Sequence, residues 1–550
     1  MSSEYPVFAP QPEPGHRDWY AFEAIRSLPR LIMMADKNQY SPTYGSFDRS
    51  YWHYRTMDFP CGMNQEYVLP LALAYKMDLP HNRYRGNARL RELALAGIDY
   101  AAKSSYKDGT TDDYFPYERA MGALVFSLYA MTEVCLELGE KDPRHLEFFT
   151  RRGVWLLNHN ETGKLANHQA FAALALYNVF LLTGDKRFQD GSNHFRDLTL
   201  SWRNPEGWFQ EYEGADPGYH TCTIGFFGKL WKKTKDEKIF QALLSAVDFA
   251  HNFMHPDGSY GGEYGSRNTF HFYPHGFELM APFSAKAGQI ADTFLHRSMP
   301  MRKRYYNDDD RMAAHYVYDW MHAWHDYAPQ RTGPIAAPAA TEAKWYPNAK
   351  MQIVKTPSYH FVANAMKGGA FKAVSESGMF AGDTALIGEL EDGRVVVTHI
   401  IAANEAAVSE DARKLTISGV FQKRKSMLPT PFKQVLFRLF MLTVGRFNAN
   451  AVRSTLQKIL IVGKAPLAIT FRREIIAEDN QLTIIDEIEK PHDIKFARLS
   501  CGTDATSMYV ANSNVFQESV LTPWRHFTAD EIAELNRTNK VRKVQTFTPP

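Results

Sequence analysis

Cysteine is scarce in this sequence, and its positions argue against two kinds of architecture. The chain has four cysteines among 550 residues, and none has a partner at the short spacing of a metal-binding or redox pair. A small fold held together by disulfides is therefore not expected, and neither is a cysteine-ligated metal site. The four positions are Cys61, Cys135, Cys222 and Cys501.

Long apolar runs are also missing. No run of about 18 apolar residues occurs, which argues against a transmembrane helix. The first residues, Met1–Pro6, do not have the basic and then apolar pattern of a secretion signal. The sequence therefore predicts a cytoplasmic protein.

Acidic residues are missing from one long segment. Ala412–Arg473 contains thirteen Lys and Arg residues and no Asp or Glu, although the net charge of the whole chain is only +2. Its part Pro431–Arg446 mixes large apolar residues with cations and is shorter than the roughly 20 residues that span a bilayer. Two interpretations are open: a core helix with a solvated basic face, or a surface that holds a polyanion, either anionic lipid or an acidic polysaccharide.

Apolar residues are plentiful, and their period predicts helices in the first part of the chain. Hydrophobic residues make up 45% of a chain that is too long for one core, so two or three domains are expected. Up to about residue 327 they recur at helical spacing. Similar helix ends at Leu138–Asp142, Thr183–Arg187 and Thr234–Lys238 recur about every 45 to 50 residues, which is typical of stacked helical hairpins in a solenoid or a toroid.

The period changes after a stretch rich in Pro and Ala. Residues 328–344 read as a linker. Beyond it, Ala385–Thr398 predicts a hairpin with an Asp-Gly turn, and Gln481–Ile488 predicts a further strand. We therefore predict a multidomain α and β protein, in which a helical domain over 1–327 is followed by an antiparallel β-sandwich over 345–550 with a basic helical insertion near 423–460.

Four polar stretches stand out in the predicted helical domain. Asn167 and His168 begin an apolar helix, where they read by themselves as a cap and a near-core histidine. Glu211–His220 is a turn that leads into a helix, and Gly261–Gly276 is rich in Glu, Tyr, Arg and His. Tyr44–Pro60 is unusually aromatic for a loop, and we interpret it as one wall of a ligand cleft.

At Asn167 and His168, in Glu211–His220 and in Gly261–Gly276, the chain resembles the heparinase II/III-like and alginate lyase-like polysaccharide lyases. That superfamily has an Asn-His pair at a helix mouth, and a catalytic Tyr follows some fifty residues later in a segment of the type acidic–Gly–x–x–x–Gly–Tyr–His. Asn167, His168 and Tyr219 match these places. The resemblance implies an (α/α) toroid followed by an antiparallel β-sandwich. It also implies cleavage of a uronate-containing acidic polysaccharide by β-elimination.

The chain departs from the superfamily at one motif. Many members carry a His-x-His-x-Asp stretch in the sandwich, which supplies a catalytic or metal-binding histidine. The corresponding region here is Met379–Asp383, and only the aspartate is kept. We therefore predict no metal and no other cofactor, with a structural divalent metal left open, and we expect His271 or His275 to take the place of the missing histidine.

The chemistry of β-elimination suits these residue types. The uronate carboxylate must be neutralised before the adjacent proton can leave, a role for Asn167 and Arg267. A base and an acid are needed at the sugar ring, roles for His168 and Tyr219, and a cation beside a tyrosine favours its ionised form. His271 completes the predicted catalytic set. The predicted substrate-binding residues are Trp52, His53, Tyr54, Asp58, Gln65, Glu263, Tyr264 and His275.

Other functions stay open at this stage. A glycoside hydrolase needs two carboxylates about 5 to 10 Å apart, for which Glu211, Glu213, Asp216 and Asp113 are available. A uronyl carbon-5 epimerase would use the same site and return the proton to the opposite face. A non-catalytic protein would bind polysaccharide and form neither product. The expected partner is an acidic polysaccharide or oligosaccharide and not a nucleic acid, with a peripheral contact to an anionic membrane through 412–473 as a further possibility.

Overall fold

The computed structural model describes residues 10–161, 163–301, 304–305, 310–424, 430–460, 463–503 and 516–550. Helices fill the chain up to His325, and strands dominate from Glu342 onward. The predicted fold class, a helical domain followed by an antiparallel β domain, is therefore confirmed. The secondary structure changes within the stretch 328–344, and the exact division into domains stays a prediction.

The helices of the first part alternate between an inner and an outer position. Their bounds are α1 Asp18–Met34, α2 Arg49–Trp52, α3 Val68–Lys76, α4 Ala88–Ser104, α5 Met121–Leu138, α6 Pro143–Asn158, α7 Ala166–Thr183, α8 Lys186–Ser201, α9 Pro217–Thr234, α10 Glu237–Ala250, α11 His275–Met280, α12 Ala285–Thr293, α13 Met299–Met301 and α14 Ala313–His325. A two-residue hairpin precedes α9, with strands β1 Gln210–Glu211 and β2 Gly214–Ala215.

Six helices close into a ring within the described residues. Each contacts the next in the order α3, α5, α7, α9, α11 and α14, and α14 contacts α3 again. One outer helix packs on each inner helix, namely α4, α6, α8, α10, α12 and α1 in the same order. Inner helices such as α5 and α7 are buried on nearly every side, whereas α6 and α8 bury one side only. The closure of the ring decides for the toroid over the solenoid.

The recurring helix ends have a physical cause. Each inner helix of three neighbouring hairpins ends at a residue in the left-handed conformation, and the next outer helix starts at an aspartate whose side chain accepts backbone N–H groups of its first turn. The left-handed residues are Gly139, Gly184 and Lys235, and the capping aspartates are Asp142, Asp185 and Asp236.

Antiparallel sheets form the second part. After β3 Arg304–Tyr305, the strands are β4 Glu342–Tyr346, β5 Met351–Lys355, β6 His360–Asn364, β7 Ala370–Ser375, β8 Gly378–Asp383, β9 Leu386–Leu390, β10 Val395–Val397, β11 Glu405–Val408, β12 Lys414–Lys423, β13 Pro466–Ala477, β14 Leu482–Glu489, β15 Phe496–Cys501, β16 Phe516–Gln517, β17 Arg525–His526 and β18 Lys540–Phe547. One sheet has the order β4-β5-β6-β7-β8, and the larger one has the order β17-β15-β9-β10-β12-β13-β14-β18, with β11 beside β12. Helix α17, Ala529–Thr538, precedes the last strand.

The five-stranded sheet is covered on both faces. Met351, Ile353 and Val362 belong to the apolar core of the toroid, whereas Val354 and Phe361 belong to the core between the two sheets. Successive residues of a strand point to opposite faces, so one sheet serves both cores. This packing holds the β domain against the loop 261–276 of the toroid, which Asn364 of β6 contacts directly.

Two helices are inserted between β12 and β13. They are α15, Pro431–Thr443, and α16, Ala449–Leu460. Helix α15 is not a core helix, because Met441 is its one buried residue. Residues 425–429 of the predicted insertion, Lys425 among them, lie outside the described residues.

One helix in the described part of the chain, α5, is long and apolar enough to cross a membrane by length and composition. It lies in the inner ring of the toroid, and 78% of that stretch is buried within the protein. Its composition is that of a core helix.

Candidate functional site

A cavity of about 240 Å³ lies where α7 and α9 begin. It is bounded by the first turns of these two helices, by the segment 113–123 that leads into α5, and by α16 of the insertion. Its polar lining residues are Asp113, Tyr114, Glu118, Glu161, His168, Tyr212, Tyr219, Arg267, Arg453 and Gln457. His168, Tyr219 and Arg267, which the sequence places far apart, are thus brought together.

His168 is held in the first turn of α7 by a carboxylate. Its Nδ1 is hydrogen-bonded to Glu161, so its orientation is fixed and a proton transfer would use Nε2. Gly122 gives the ring space, because a Cβ there would lie 3.0 Å from His168 Cε1. Burial would raise the pKa of Glu161, but His168, Arg453 and Arg267 lower it to about 2, and the carboxylate stays ionised.

Tyr219 lies under a cation. The Arg267 guanidinium carbon is 3.6 Å from the centroid of the Tyr219 ring and 5.1 Å from that of Tyr212. Burial would lower the pKa of Arg267, but the neighbouring Tyr219, Tyr212 and Glu211 raise it, so the guanidinium stays charged. A cation this close to a phenol favours its ionised form.

Asp216 holds the segment Glu211–His220 and the loop 261–276 together. Its carboxylate accepts hydrogen bonds from the backbone N–H of Tyr219 at 2.9 Å and of Arg267 at 2.8 Å. As the N-cap of α9 it fixes the first turn of that helix and the loop 261–276 at once. Gly218 permits this approach, because a Cβ there would collide with Thr269.

Asn167 lies behind the cavity and is fully buried. Its backbone N–H and its Nδ2 donate to Glu211 Oε1 at 3.0 and 2.7 Å, and the other carboxylate oxygen of Glu211 pairs with Arg267 Nη1 at 3.1 Å. Burial raises the pKa of Glu211 against the effect of Arg267. Asn167 therefore does not cap α7 with its side chain, and its amide binds Glu211, which also connects α7 to Arg267.

The insertion supplies a second arginine to the cavity. Arg453 of α16 donates from Nη1 to Glu161 Oε1 and from Nη2 to Glu118 Oε1, each at 2.9 Å, and its side chain is only 11% exposed. Burial would lower the pKa of Arg453, but Glu118 and Glu161 raise it, so it stays charged. A residue from the middle of the β domain thus closes one side of a cavity built by the toroid.

Solved structures of polysaccharide lyases have the same architecture. The chondroitin AC lyase of Streptomyces coelicolor A3, in complex with chondroitin sulphate, matches with a TM-score of 0.52 and 12% identity over 91% of this chain and 69% of that chain. Xanthan lyase of Paenibacillus matches with a TM-score of 0.51 and 11% identity over 88% and 47%. The chain shares the fold of these two lyases.

At these identities the similarity concerns the fold, and the predicted resemblance is confirmed at that level. Heparinase III matches with a TM-score of 0.46 and 9% identity over 88% of this chain and 76% of that chain. The chain spans about half the length of the xanthan lyase. No family model matches the sequence, and no curated protein is similar to it at a significant level.

The predicted histidines of the segment Gly261–Gly276 lie outside the cavity lining. The His271 ring is 5.1 Å from the Tyr219 ring, and its Nδ1 bonds the Tyr316 hydroxyl. His275 begins α11 and bonds Asp326 at 2.7 Å, and burial together with Lys229 lowers its pKa to about 4. The His271 ring therefore packs edge-on against the Tyr219 ring, and His275 joins two inner helices.

Glu263 and Tyr264 anchor the loop 261–276 and do not line the cavity. Glu263 pairs with Lys372 at 3.1 Å, and the Tyr264 hydroxyl lies 3.0 Å from His255 Nε2. Lys367, in the turn after β6, donates to the carbonyl oxygens of Glu263 and Gly265, and burial lowers its pKa to about 8. The β domain thus contributes a lysine anchor for the loop that carries Arg267.

The aromatic stretch Tyr44–Pro60 does not form a wall of this cavity. Trp52 donates its indole N–H to the Met34 carbonyl at 2.9 Å, and Asp58 pairs with Arg438 of α15 at 3.2 Å. His53 and Tyr54 lie at the surface. Gln65 is buried, donates to the Gly97 carbonyl at 2.7 Å and accepts from the Phe47 N–H, so it lies in the core of the toroid and not in the lining of this cavity.

Of the four carboxylates considered for a hydrolase, the cavity includes Asp113 alone. Glu211 and Asp216 fix helix starts as described, and Glu213 pairs with Lys464 at 2.9 Å near the surface. The sequence interpretation missed Glu118 and Glu161, which line the cavity beside Asp113. Burial raises the pKa of Glu118, with Arg453 acting in the opposite direction.

No group of three or more His, Cys, Asp or Glu side chains suited to a metal ion is found in the part of the chain that the structure describes. Asp383, the aspartate that remains of the His-x-His-x-Asp motif, pairs with Arg473 at 2.6 Å and with Arg525 at 2.8 Å. Two arginines neutralise this carboxylate. The predicted absence of a metal stays a prediction.

Proposed function

We propose that this protein is a polysaccharide lyase that cleaves a uronate-containing acidic polysaccharide by β-elimination. The observation that carries the proposal is the Arg267 guanidinium, 3.6 Å from the Tyr219 ring, in the same cavity as a histidine held by a carboxylate. This arrangement places a cation-activated phenol and an oriented imidazole around one space. They are the two proton-transfer groups that the reaction requires.

In the proposed reaction, the Tyr219 phenolate removes the proton from carbon 5 of the uronate. The electron pair of that C–H bond forms the double bond between carbons 4 and 5, and the bond from carbon 4 to the glycosidic oxygen breaks. His168 donates a proton from Nε2 to the leaving oxygen, because Glu161 holds Nδ1 and leaves Nε2 as the ring nitrogen for the transfer. The products are a new hydroxyl end and an unsaturated uronate.

The developing charge on the uronate carboxylate needs cations. Arg267 and Arg453 both line the cavity, and we assign this neutralisation to them. The earlier assignment to Asn167 is replaced, because its amide binds Glu211 and lies behind the cavity. Asn167 keeps a positioning role for Glu211 and, through it, for Arg267.

The cavity is small for a polymer, and α16 forms one side of it. Its volume of about 240 Å³ is below the roughly 300 to 1,000 Å³ of ligand pockets. Entry of a polymer would therefore require α16 to move, with loss of the ion pairs that Arg453 makes to Glu118 and Glu161. An anionic sugar could replace these two carboxylates as the partner of Arg453.

A glycoside hydrolase is the second candidate, favoured by one observation. Asp113, Glu118 and Glu161 all line the cavity, and burial raises the pKa of Glu118, as a general acid requires. The epimerase alternative uses the same groups as the lyase. It differs only in the face to which the proton returns.

One experiment separates these functions. Purified protein is incubated with chondroitin sulphate, heparan sulphate, alginate and xanthan in deuterated buffer. A lyase yields near-ultraviolet absorbance from the unsaturated uronate, and Tyr219→Phe abolishes it. New reducing ends without absorbance identify a hydrolase, and deuterium at carbon 5 without cleavage identifies an epimerase. Binding without any product contradicts all three enzymatic functions for those polymers.

A further inference from the structure

Helix α15 exposes an unusual amount of apolar surface. Among the large apolar side chains that are exposed in the described residues, eight of 19 lie between residues 432 and 447. On α15 they are Phe432, Val435, Leu436, Leu439, Phe440 and Leu442, with exposed fractions between 44% and 72%. Isolated exposed apolar residues are normal in proteins, but a concentration of this size marks an interaction surface.

The apolar residues of α15 form a stripe directed away from the protein. Phe432, Val435, Leu436 and Leu439 follow the three- and four-residue spacing of one helix face, which we call the outward face. The opposite side faces the toroid, where Met441 is buried and the Phe437 ring lies 5.4 Å from that of Phe115. A surface helix normally turns its apolar stripe toward the core, and α15 does the reverse.

Cations flank the outward face. Lys433 lies within α15, and Arg446 lies in the turn after it, where Val444 and Phe447 are 64% and 76% exposed. The acid-free segment 412–473 extends far beyond the helix on both sides. An apolar helix face with basic flanks is the composition of helices that lie in the headgroup region of anionic membranes.

We propose that the outward face of α15 binds an anionic lipid membrane as an interfacial helix. With 13 residues the helix is about 20 Å long, too short to cross a bilayer and suited to lie in its surface. The apolar side chains enter the boundary between headgroups and acyl chains, and Lys433 and Arg446 meet the acidic headgroups. This contact does not depend on the proposed lyase activity.

Two other occupants fit the surface less well. A second copy of the chain would bring two sets of cations together, with no acidic residue between 412 and 473 to neutralise them. An acidic polysaccharide would satisfy the cations, but it would leave Leu436 and Leu439 against a hydrated polymer. A lipid surface satisfies both the charge and the apolar face.

The test uses the full chain and two kinds of vesicle, phosphatidylcholine alone and phosphatidylcholine with phosphatidylserine. We expect co-sedimentation with the anionic vesicles, weaker with neutral ones, and a decrease as salt is raised. The double variant Leu436→Gln/Leu439→Gln should lower the partition constant about tenfold or more, because it removes two buried leucines from the membrane contact. Lys433→Gln/Arg446→Gln should weaken only the binding to anionic vesicles.

The matched control is Leu181→Gln/Leu521→Gln, which changes two leucines that are 45% and 71% exposed elsewhere. It should bind like the wild type. The proposal is overturned if wild-type protein binds neither vesicle. It is also overturned if the α15 variants abolish a dimer in sedimentation equilibrium while vesicle binding is unchanged, or if they abolish only the affinity for an acidic polysaccharide.

Discussion

Two arginines reach the same cavity from regions that differ in how they are held. Arg267 belongs to the toroid and is fixed through its backbone to Asp216, through its side chain to Glu211, and by the Lys367 anchor of its loop. Arg453 is carried by α16, next to a helix with one buried residue, and its ion pairs to Glu118 and Glu161 cross from one domain to the other. The first arginine is part of a rigid frame, and the second, on the entry route proposed above, is part of a wall that moves.

This difference separates two roles that both use a buried cation. An arginine that must polarise a fixed tyrosine needs a fixed position, because small displacements weaken catalysis strongly. An arginine that admits a large substrate must be able to leave its partners. The variants below test this division.

The largest expected effect concerns Tyr219, whose ring lies beneath the Arg267 guanidinium. Tyr219→Phe should lower kcat about a thousandfold, because it removes the proton-transfer group and keeps the ring under Arg267. Turnover on the identified polymer and thermal unfolding are measured together. Tyr40→Phe, at a side chain that is 97% exposed, is the control and should behave like the wild type. Near-normal turnover by Tyr219→Phe contradicts the assignment.

Arg267→Gln should have the next largest effect, on stability. It leaves the Glu211 carboxylate buried without its cation, which lowers the free energy of unfolding by about 3 kcal/mol. Denaturant unfolding measures this change. The exposed Arg144→Gln serves as control and should change stability by less than about 0.5 kcal/mol. An unchanged midpoint for Arg267→Gln would show that Glu211 does not depend on this arginine.

Glu161 connects the two regions, and its effect depends on pH. Its pKa is about 2 in the folded protein, below the usual value, so its contribution to stability is present above about pH 4.5 and is lost as pH falls through 2. We expect Glu161→Gln to be less stable than the wild type at pH 7 by about 2 kcal/mol, and the difference to shrink below pH 4. Unfolding curves across this range measure it. A difference independent of pH would contradict the ion pairs with His168 and Arg453.

Arg453→Gln should have the smallest effect on stability and a distinct effect on binding. On the proposal that α16 moves away and lets water reach Glu118 and Glu161, we expect a loss of at most about 1 kcal/mol in unfolding. KM for the anionic polymer should rise about tenfold, since two carboxylates lose their cation. Steady-state kinetics and unfolding are compared with those of Arg267→Gln. Equal losses of stability in Arg453→Gln and Arg267→Gln would contradict the difference proposed between the two arginines.

The helices of the toroid and the start of α9 with Tyr219 are largely predictable from the sequence, because short local patterns mark them. The capping residues at Asp142, Asp185 and Asp236 mark each hairpin, and the segment around Gly218 and Tyr219 has a recognisable pattern. The helical pattern alone allows a solenoid or a toroid, and only the resemblance to the polysaccharide lyases predicts that the ring closes. Asn167 was assigned to the substrate because a sequence cannot show that its amide meets Glu211, 44 residues later.

The wall could not be predicted, because it is made by long-range pairing. Arg453 was one cation in a long basic segment, and its partners lie 292 and 335 residues away, with nothing local to connect them. The sequence also does not show whether the apolar stripe on α15 faces the protein or the solvent. A helical period shows that a face exists, but only the packing of Phe437 and Met441 shows which face is turned inward.

The origin of Arg453 has a consequence for synthesis in the cell. The ribosome completes Glu118, Glu161, His168, Tyr219 and Arg267 while more than 180 residues before Arg453 are still to be added. A nascent toroid can therefore hold every other charged group of the cavity while Glu118 and Glu161 still lack the arginine that pairs with both. On the proposed function, an anionic polymer would be repelled from such an incomplete site, and the order of the chain would delay its binding until the β domain has been made.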